Sequence, residues 1–296
     1  MSRKTLTREV RRAYSQDSLA RICMLPEKEF GAAYGMQTIH VDQKWPTSEP
    51  ADYYHFRDNG SRVLAVAHLD TVVRPERRAP RFRDTKGGPH IVSGALDDRL
   101  GAYVILGLLP ALGVTCDWLF TTGEESGQST AELFKPEKDY DWLIEFDRMG
   151  TDVVMYQYED EACCQAVQEC GAVMGTGSYS DIAYLEHLEV KAFNWGVGYR
   201  GDYHSEKGYA FLDDTFAMVA KYLRFHEQNE GTGMPHEPCR YDDRSFDDGY
   251  YCRFCQGKNT VDAVTWYCRE CGSCADCGQA GNECMCYVPE RIAKMT

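Results

Sequence analysis

Seven side chains of the sequence, His68, Asp70, Asp97, Glu124, Glu125, Asp147 and His204, are the hard and borderline nitrogen and oxygen donors that bind divalent transition metals such as zinc. No thiolate belongs to the set. Five ligands hold two ions when one carboxylate bridges, and Asp97, in Ser-Gly-Ala-Leu-Asp-Asp-Arg-Leu-Gly at the start of an apolar stretch, is placed to do so. Two ions about 3.5–4 Å apart polarise a carbonyl together and bring the pKa of bound water from about 15.7 to about 7. A separate base is still useful, and the adjacent Glu124 and Glu125 offer one carboxylate for a metal and one for proton transfer.

These residues are far apart in sequence, so the fold must bring them together. Apolar runs of strand length recur with helix-like segments between them, which predicts an α/β domain with a mostly parallel central sheet flanked by helices. The clearest expected strands are 63–67, 118–121, 142–146, 153–156 and 192–197, with helices over 98–109 and 214–226 and a surface helix over 7–22. His68 and Asp70 follow the first of these strands, Glu124 and Glu125 the second after a Thr-Thr-Gly turn, Asp147 ends the third, and His204 lies beyond the last. The carboxyl ends of an open parallel sheet share one edge, where ligand crevices form. His187, His226 and His236 compete with His204 for its place, and its Tyr-His-Ser setting favours His204. Arg148 and Arg200 lie close in sequence to donors and are candidates to bind a substrate carboxylate or simply to pair with surface acids.

His68-Leu-Asp70, Gly94-Ala-Leu-Asp97-Asp98, Thr122-Gly-Glu124-Glu125-Ser-Gly127, Phe146-Asp147-Arg-Met-Gly150, Ser180-Asp181 and Tyr203-His204-Ser205 occur in an informative order. In that order the chain resembles the co-catalytic zinc aminopeptidases and carboxypeptidases of the M20/M28/M42 clan over about residues 50–230. The resemblance implies that His68 and Asp147 hold one ion, Glu125 and His204 the other, and that Asp97 bridges them. It implies that Asp70 orients the His68 ring and that Glu124 is the general base, while Asp98 continues the double-acid motif without a settled role. Only 56 residues separate Asp147 from His204, too few for the lid or dimerisation domain that many members insert there. A layout without an inserted domain looks more like the aminopeptidase branch. Ser180-Asp181 is followed by Ile182 where that branch often carries His, so substrate contacts are expected to differ.

The tail has another character. Nine of the fourteen cysteines lie in the last 61 residues, after a polar, Gly- and Pro-containing stretch from Glu227 to Pro238 that reads as a linker. This divides the chain into a catalytic domain over 1–230 and a Cys-rich module over 236–296. Cys252, Cys255, Cys268 and Cys271 have the spacing of a four-cysteine zinc ribbon. Cys274, Cys277, Cys284 and Cys286 furnish a possible second set, with His236 and Cys239 as further candidates. So small a module folds on its metal, and it is expected to bind one or two structural zinc ions and to dock a protein partner or the catalytic body.

Composition narrows the function classes. Forty-six acidic against thirty-two basic residues give a net charge of −14, a field that repels phosphate backbones, so no nucleic-acid partner is expected. From Glu237 to Cys286 there are nine acids and five bases, against a DNA-reading ribbon. The longest nearly uninterrupted apolar run, Ala102 to Val114, is interrupted by Pro110 and is shorter than the roughly 20 residues of a membrane span. The N-terminus lacks the apolar core of a secretory signal, so a cytoplasmic protein is expected. The expected activity is hydrolysis of an amide bond by two zinc ions, or alternatively cobalt or manganese, with peptides as substrates and release of the N-terminal residue. An N-acyl amino acid deacylase or small-amide hydrolase is the alternative within this chemistry, and a non-catalytic zinc-ribbon adaptor the alternative outside it.

Overall fold

A run as apolar as Val63-Leu-Ala-Val-Ala67 makes a stable strand only where both of its faces are covered. The computed structural model describes residues 3–41, 53–73, 78–85, 88–177 and 179–238, which fall in the first of two units, Met1–Pro238. The tail cysteines Cys239, Cys252, Cys255, Cys268, Cys271, Cys274, Cys277, Cys284 and Cys286 lie outside the described residues.

The elements are α1 (Arg3–Ala13), α2 (Gln16–Met24), α3 (Phe30–Tyr34), β1 (Gln37–His40), β2 (Tyr53–Arg57), β3 (Val63–His68), β4 (Arg81–Thr85) and β5 (Gly88–Val92). They continue with α4 (Leu96–Tyr103), α5 (Leu109–Ala111), β6 (Asp117–Thr121), β7 (Trp142–Met149), β8 (Val153–Val154), α6 (Glu161–Glu169), β9 (Ala192–Arg200), β10 (Tyr209–Phe211) and α7 (Leu212–Asn229). One sheet runs in the order β1-β2-β6-β3-β7-β9-β10-β5-β4, with β8 added against β9. Strands β6, β3, β7 and β9 are parallel neighbours, whereas every other pairing is antiparallel. The expectation of a mostly parallel sheet therefore holds for its centre only, and the sheet as a whole is mixed. The flanks escape a search for apolar runs because they are partly exposed: β1 and β4 are largely open to solvent and alternate or carry charge.

The centre is dry. Strand β3 is buried at all six positions and β9 at eight of nine. Helix α4 packs on β3 and β7, α7 on β9, and a 3-10 segment, Asp181–Leu188, touches β3, β7 and β9. Trp142 and Trp195 are fully buried, and Phe225 of α7 meets both rings. Large apolar side chains buried this way each contribute roughly 1.5–3 kcal/mol.

Two other expectations change for local reasons. The helix expected over 7–22 is two helices, because Ser15 caps the second: its hydroxyl accepts from the Ser18 amide at 3.2 Å. The strand expected over 153–156 ends at Val154, since Tyr156 has φ 50° and opens a 3-10 turn. Between Asp147 and His204 the described residues form β8, α6, the 3-10 segment and β9, elements of the same sheet and its flank. The stretch after α7 pairs with the body: the amides of Met234 and His236 donate to Asp141 and Glu189 carbonyls at 2.9 and 2.8 Å. No described helix is long and apolar enough to cross a membrane.

Candidate metal centre

In the chain order of the parallel strands, β6 goes to one side of β3 and β7 to the other. The order reverses between β3 and β7, and in an open α/β sheet ligands bind beyond the carboxyl ends of the strands at such a reversal. His68 ends β3, and Asp147 lies near the end of β7. Glu124 and Glu125 stand in a 3-10 turn after β6, entered through Gly123 at φ 85°. A Cβ at Gly123 would come 2.5 Å from the Gln128 carbonyl oxygen, so this turn needs glycine. Asp97 sits in the first turn of α4, and His204 in the turn between β9 and β10.

These placements bring together all five donors. Ligand atoms of His68, Asp97 and Asp147 lie within 4.8 Å of one another, and so do those of Asp97, Glu125 and His204. Asp97 belongs to both trios through different oxygens: Oδ1 is 3.1 Å from His68 Nε2 and Oδ2 is 2.9 Å from His204 Nε2. His68 Nε2 is 3.8 Å from Asp147 Oδ2, and His204 Nε2 is 3.8 Å from Glu125 Oε2. Ligands about 2.0–2.2 Å from a shared zinc ion stand roughly 3 to 4 Å from each other, so the spacing suits one ion per trio with Asp97 between them. Glu124 belongs to neither trio, yet its Oε2 is 3.8 Å from His68 Nε2.

Asp70 ties two of these groups together. His68 Nδ1 donates to the Asp70 main-chain carbonyl at 3.0 Å, with the Asp70 carboxylate 3.6 Å away, and this leaves Nε2 as the ring's free donor to a metal. The other Asp70 oxygen accepts from the Glu125 amide at 3.1 Å.

The electrostatics call for added positive charge. Asp70, Asp97, Asp98, Glu124, Glu125, Glu145, Asp147 and Asp181 interact around two imidazoles, His68 and His204, with buried Arg99 acting on Asp70 at the edge of the group. Burial, then the charges of Asp97 and Asp98, push Asp147 well above the usual carboxylate range. Burial likewise pushes Glu124 up to about 8, with Asp181, Asp97 and Glu125 adding to the rise against the opposing pull of His68. Burial would lower His68, but the carboxylates of Asp70 and Asp97 overcome it and raise it well above its ordinary value. Asp97 goes the other way: burial opposes ionisation, yet His204 and His68 hold it well below. A buried oxygen of Asp98 and one of Glu145 have no hydrogen-bond partner. Divalent cations at the two trios would offset part of this excess.

Several supporting residues carry no sequence motif. Asn194 brackets the Asp147 main chain, accepting from its amide at 3.0 Å and donating to its carbonyl at 2.8 Å, where the β7–β9 register shifts. The one sign of it is a lone polar residue in an apolar strand. Asp98 receives the Tyr199 hydroxyl at 2.5 Å and the Gly101 amide at 3.0 Å, and with its own non-helical φ/ψ it caps the regular helix that follows the kink within α4. Tyr199 stacks on Tyr203, whose ring lies 4.3 Å from that of His204. Arg148 is bound to Asp152 and the Thr176 carbonyl, and Arg200 to Asp214. The competing histidines are engaged elsewhere: His187 bonds the Phe134 carbonyl, His226 packs on Trp142, and His236, also considered as a tail ligand, bonds Glu186 at 2.9 Å.

No family model matches the sequence, and no curated protein matches it. Among solved structures the chain is similar to a tripeptidase from Staphylococcus aureus subsp. aureus Mu50, with a TM-score of 0.54 and 12% identity over 73% of this chain and 97% of that one. It is also similar to the aminopeptidase PepT from Bacillus cereus ATCC 10987, TM-score 0.49 and 13% identity over 76% and 99% of the two chains. A Zn-dependent exopeptidase from Parabacteroides distasonis ATCC 8503 gives a TM-score of 0.43 and 12% identity over 75% and 96%. The first of these likenesses shows that the chain has the fold of the tripeptidase.

Proposed function

We propose that this chain is a metal-dependent amide-bond hydrolase with two zinc ions, acting on peptides to release the N-terminal residue. The observation that carries the reading is the pair of donor trios sharing Asp97, with a half-buried carboxylate, Glu124, beside them that neither trio uses. His68, Asp97 and Asp147 would hold one ion and Asp97, Glu125 and His204 the other. Such a pair, when bound, supplies Lewis acidity toward a carbonyl and makes water at the site more acidic.

Glu124 takes a proton from the attacking water at a carboxylate oxygen as the water oxygen bonds to the carbonyl carbon. It then delivers that proton to the amide nitrogen as the carbon–nitrogen bond breaks. Asp70 keeps the His68 tautomer and links it to the Glu125 amide. A peptide with a free amine suits the excess of carboxylates around the centre, and Arg148 and Arg200 are already neutralised by their own acids. The tripeptidase that shares the fold points to the same substrate class. The Cys-rich tail is proposed to be a separate zinc-bound module.

The test is Glu124→Gln, assayed with aminoacyl amides and short peptides. The site metal content should stay at two ions while kcat falls about 10²- to 10⁴-fold. Turnover at the parental rate would contradict the reading, and turnover of blocked amines alone would replace the aminopeptidase by a deacylase.

A further inference from the structure

The segment between α6 and β9 gives no donor to either trio, yet it carries two fully buried polar residues, Ser180 and Asp181. One Asp181 oxygen accepts the hydroxyl of Thr121 and the other the hydroxyl of Ser129. Thr121 is the last residue of β6, and Ser129 follows the turn that carries Glu124 and Glu125. A single carboxylate therefore joins both ends of loop 122–128. Ser180 donates to Glu145 on β7, two residues before Asp147. The neighbouring residues of one segment thus reach the carriers of Glu124, Glu125 and Asp147.

Within the loop, the Gly127 amide donates to the Glu124 carbonyl at 2.8 Å and the Thr130 amide to the Thr122 carbonyl at 2.9 Å. Those bonds shape the loop. The Asp181 bonds anchor it to a different part of the chain, in a place where a buried carboxylate is costly unless its oxygens are well satisfied. Thr121 also stands beside His68 in the parallel register of β3 and β6, so the anchored end of the loop is next to the first donor.

We propose that Ser180 and Asp181 form a positioning bracket for the hydrolytic centre, with Asp181 holding the loop so that Glu124 meets the attacking water in line. The inference rests on the hydrolase reading above. Asp181 and Ser180 are positioning residues, acting through Thr121, Ser129 and Glu145. A displacement of about 1 Å at such a group can cost about 100-fold in rate.

The experiment compares hydroxyl-removing with hydroxyl-keeping variants in the full chain, reading kcat, KM and site metal content with the peptide and aminoacyl amide substrates. Asp181→Asn should lower kcat about 100-fold, and Thr121→Val and Ser129→Ala about 10-fold each. KM should stay within about 2-fold and both site ions should be retained. Thr121→Ser and Ser129→Thr should keep kcat within about 2-fold of the parent. A packing role predicts the reverse at Thr121, where Val keeps the volume and Ser loses a methyl group, and that outcome would overturn the bracket. Loss of site metal in step with kcat would also overturn it. The Thr121 and Ser129 pairs decide the matter even where Asp181→Asn does not fold. An active parent with an unimpaired Asp181→Asn sinks the bracket alone, whereas a parent inactive with zinc, cobalt and manganese sinks the hydrolase reading and the bracket with it.

Discussion

Strand β6 has a buried acid region at each end, and the two ends differ in how their carboxylates are satisfied. At its start, fully buried Asp117 accepts from the amides of Asn59 and Ser61 at 2.9 and 3.0 Å and from the Tyr140 hydroxyl at 3.0 Å, and it pairs with Lys138 at 2.6 Å. Beyond its other end, Glu124 and Glu125 join a crowd of acids that has two imidazoles and buried oxygens without partners. A carboxylate whose lone pairs are filled by protein donors holds a fold together. Carboxylates that crowd one another are left to be completed by something that binds.

The largest effects follow from exchanging the two kinds of acid. Asp97→Ala removes the residue common to both trios, so both site ions should be lost, and peptide turnover should drop below about one part in 10³, since Glu124 is left without the activated water it acts on. Asp117→Asn should leave site metal and kcat per folded molecule intact while destabilising the chain by about 3 kcal/mol in denaturant titration. If Asp117→Asn lost site metal selectively, the distinction between the two ends would collapse.

The pH response of the metal-free chain comes next in size. Burial and neighbouring charge raise Asp98, Glu125, Glu145, Asp147 and Asp181, and Glu124 to about 8, while paired carboxylates raise His68 and His204. In each case the folded state binds protons that the unfolded chain has released. Folding stability should therefore fall as pH rises from about 5 to about 8, and saturating zinc should remove most of that slope. Asp147→Asn removes one of these charges and should make the metal-free chain more stable at pH 8 by roughly 1 kcal/mol. A metal-free chain that gains stability over the same interval would contradict the electrostatic account.

The smallest effect sharpens the same contrast. Tyr140→Phe takes one donor from Asp117 and should cost about 1 kcal/mol of stability with no change in kcat. Equilibrium unfolding and a standard peptide assay measure both quantities.

The candidate donors His68, Glu125, Asp147 and His204 were legible because each follows an apolar run and the carboxyl ends of parallel strands converge by topology, and Asp97 because it opens an apolar stretch. Val63 to Ala67 and Trp142 to Phe146 needed only their hydrophobicity to be read. What escaped was held by side-chain pairs across long separations. Asn194 to Asp147 spans 47 residues and Asp181 to Thr121 spans 60, and no local pattern encodes either. The antiparallel flanks were missed for a related reason: β5 and β10 pair across more than a hundred residues, and neither is apolar enough to read as a strand by itself. Ser180-Asp181 was visible as a motif, but its buried position beside the loop neck required the fold.

The most direct measurement is anomalous scattering at the zinc absorption edge from crystals of the zinc-loaded full chain. Two peaks should flank Asp97, one within bonding distance of His68 and Asp147 and the other of Glu125 and His204. A single peak, or ions bound away from Asp97, would contradict the shared-carboxylate centre.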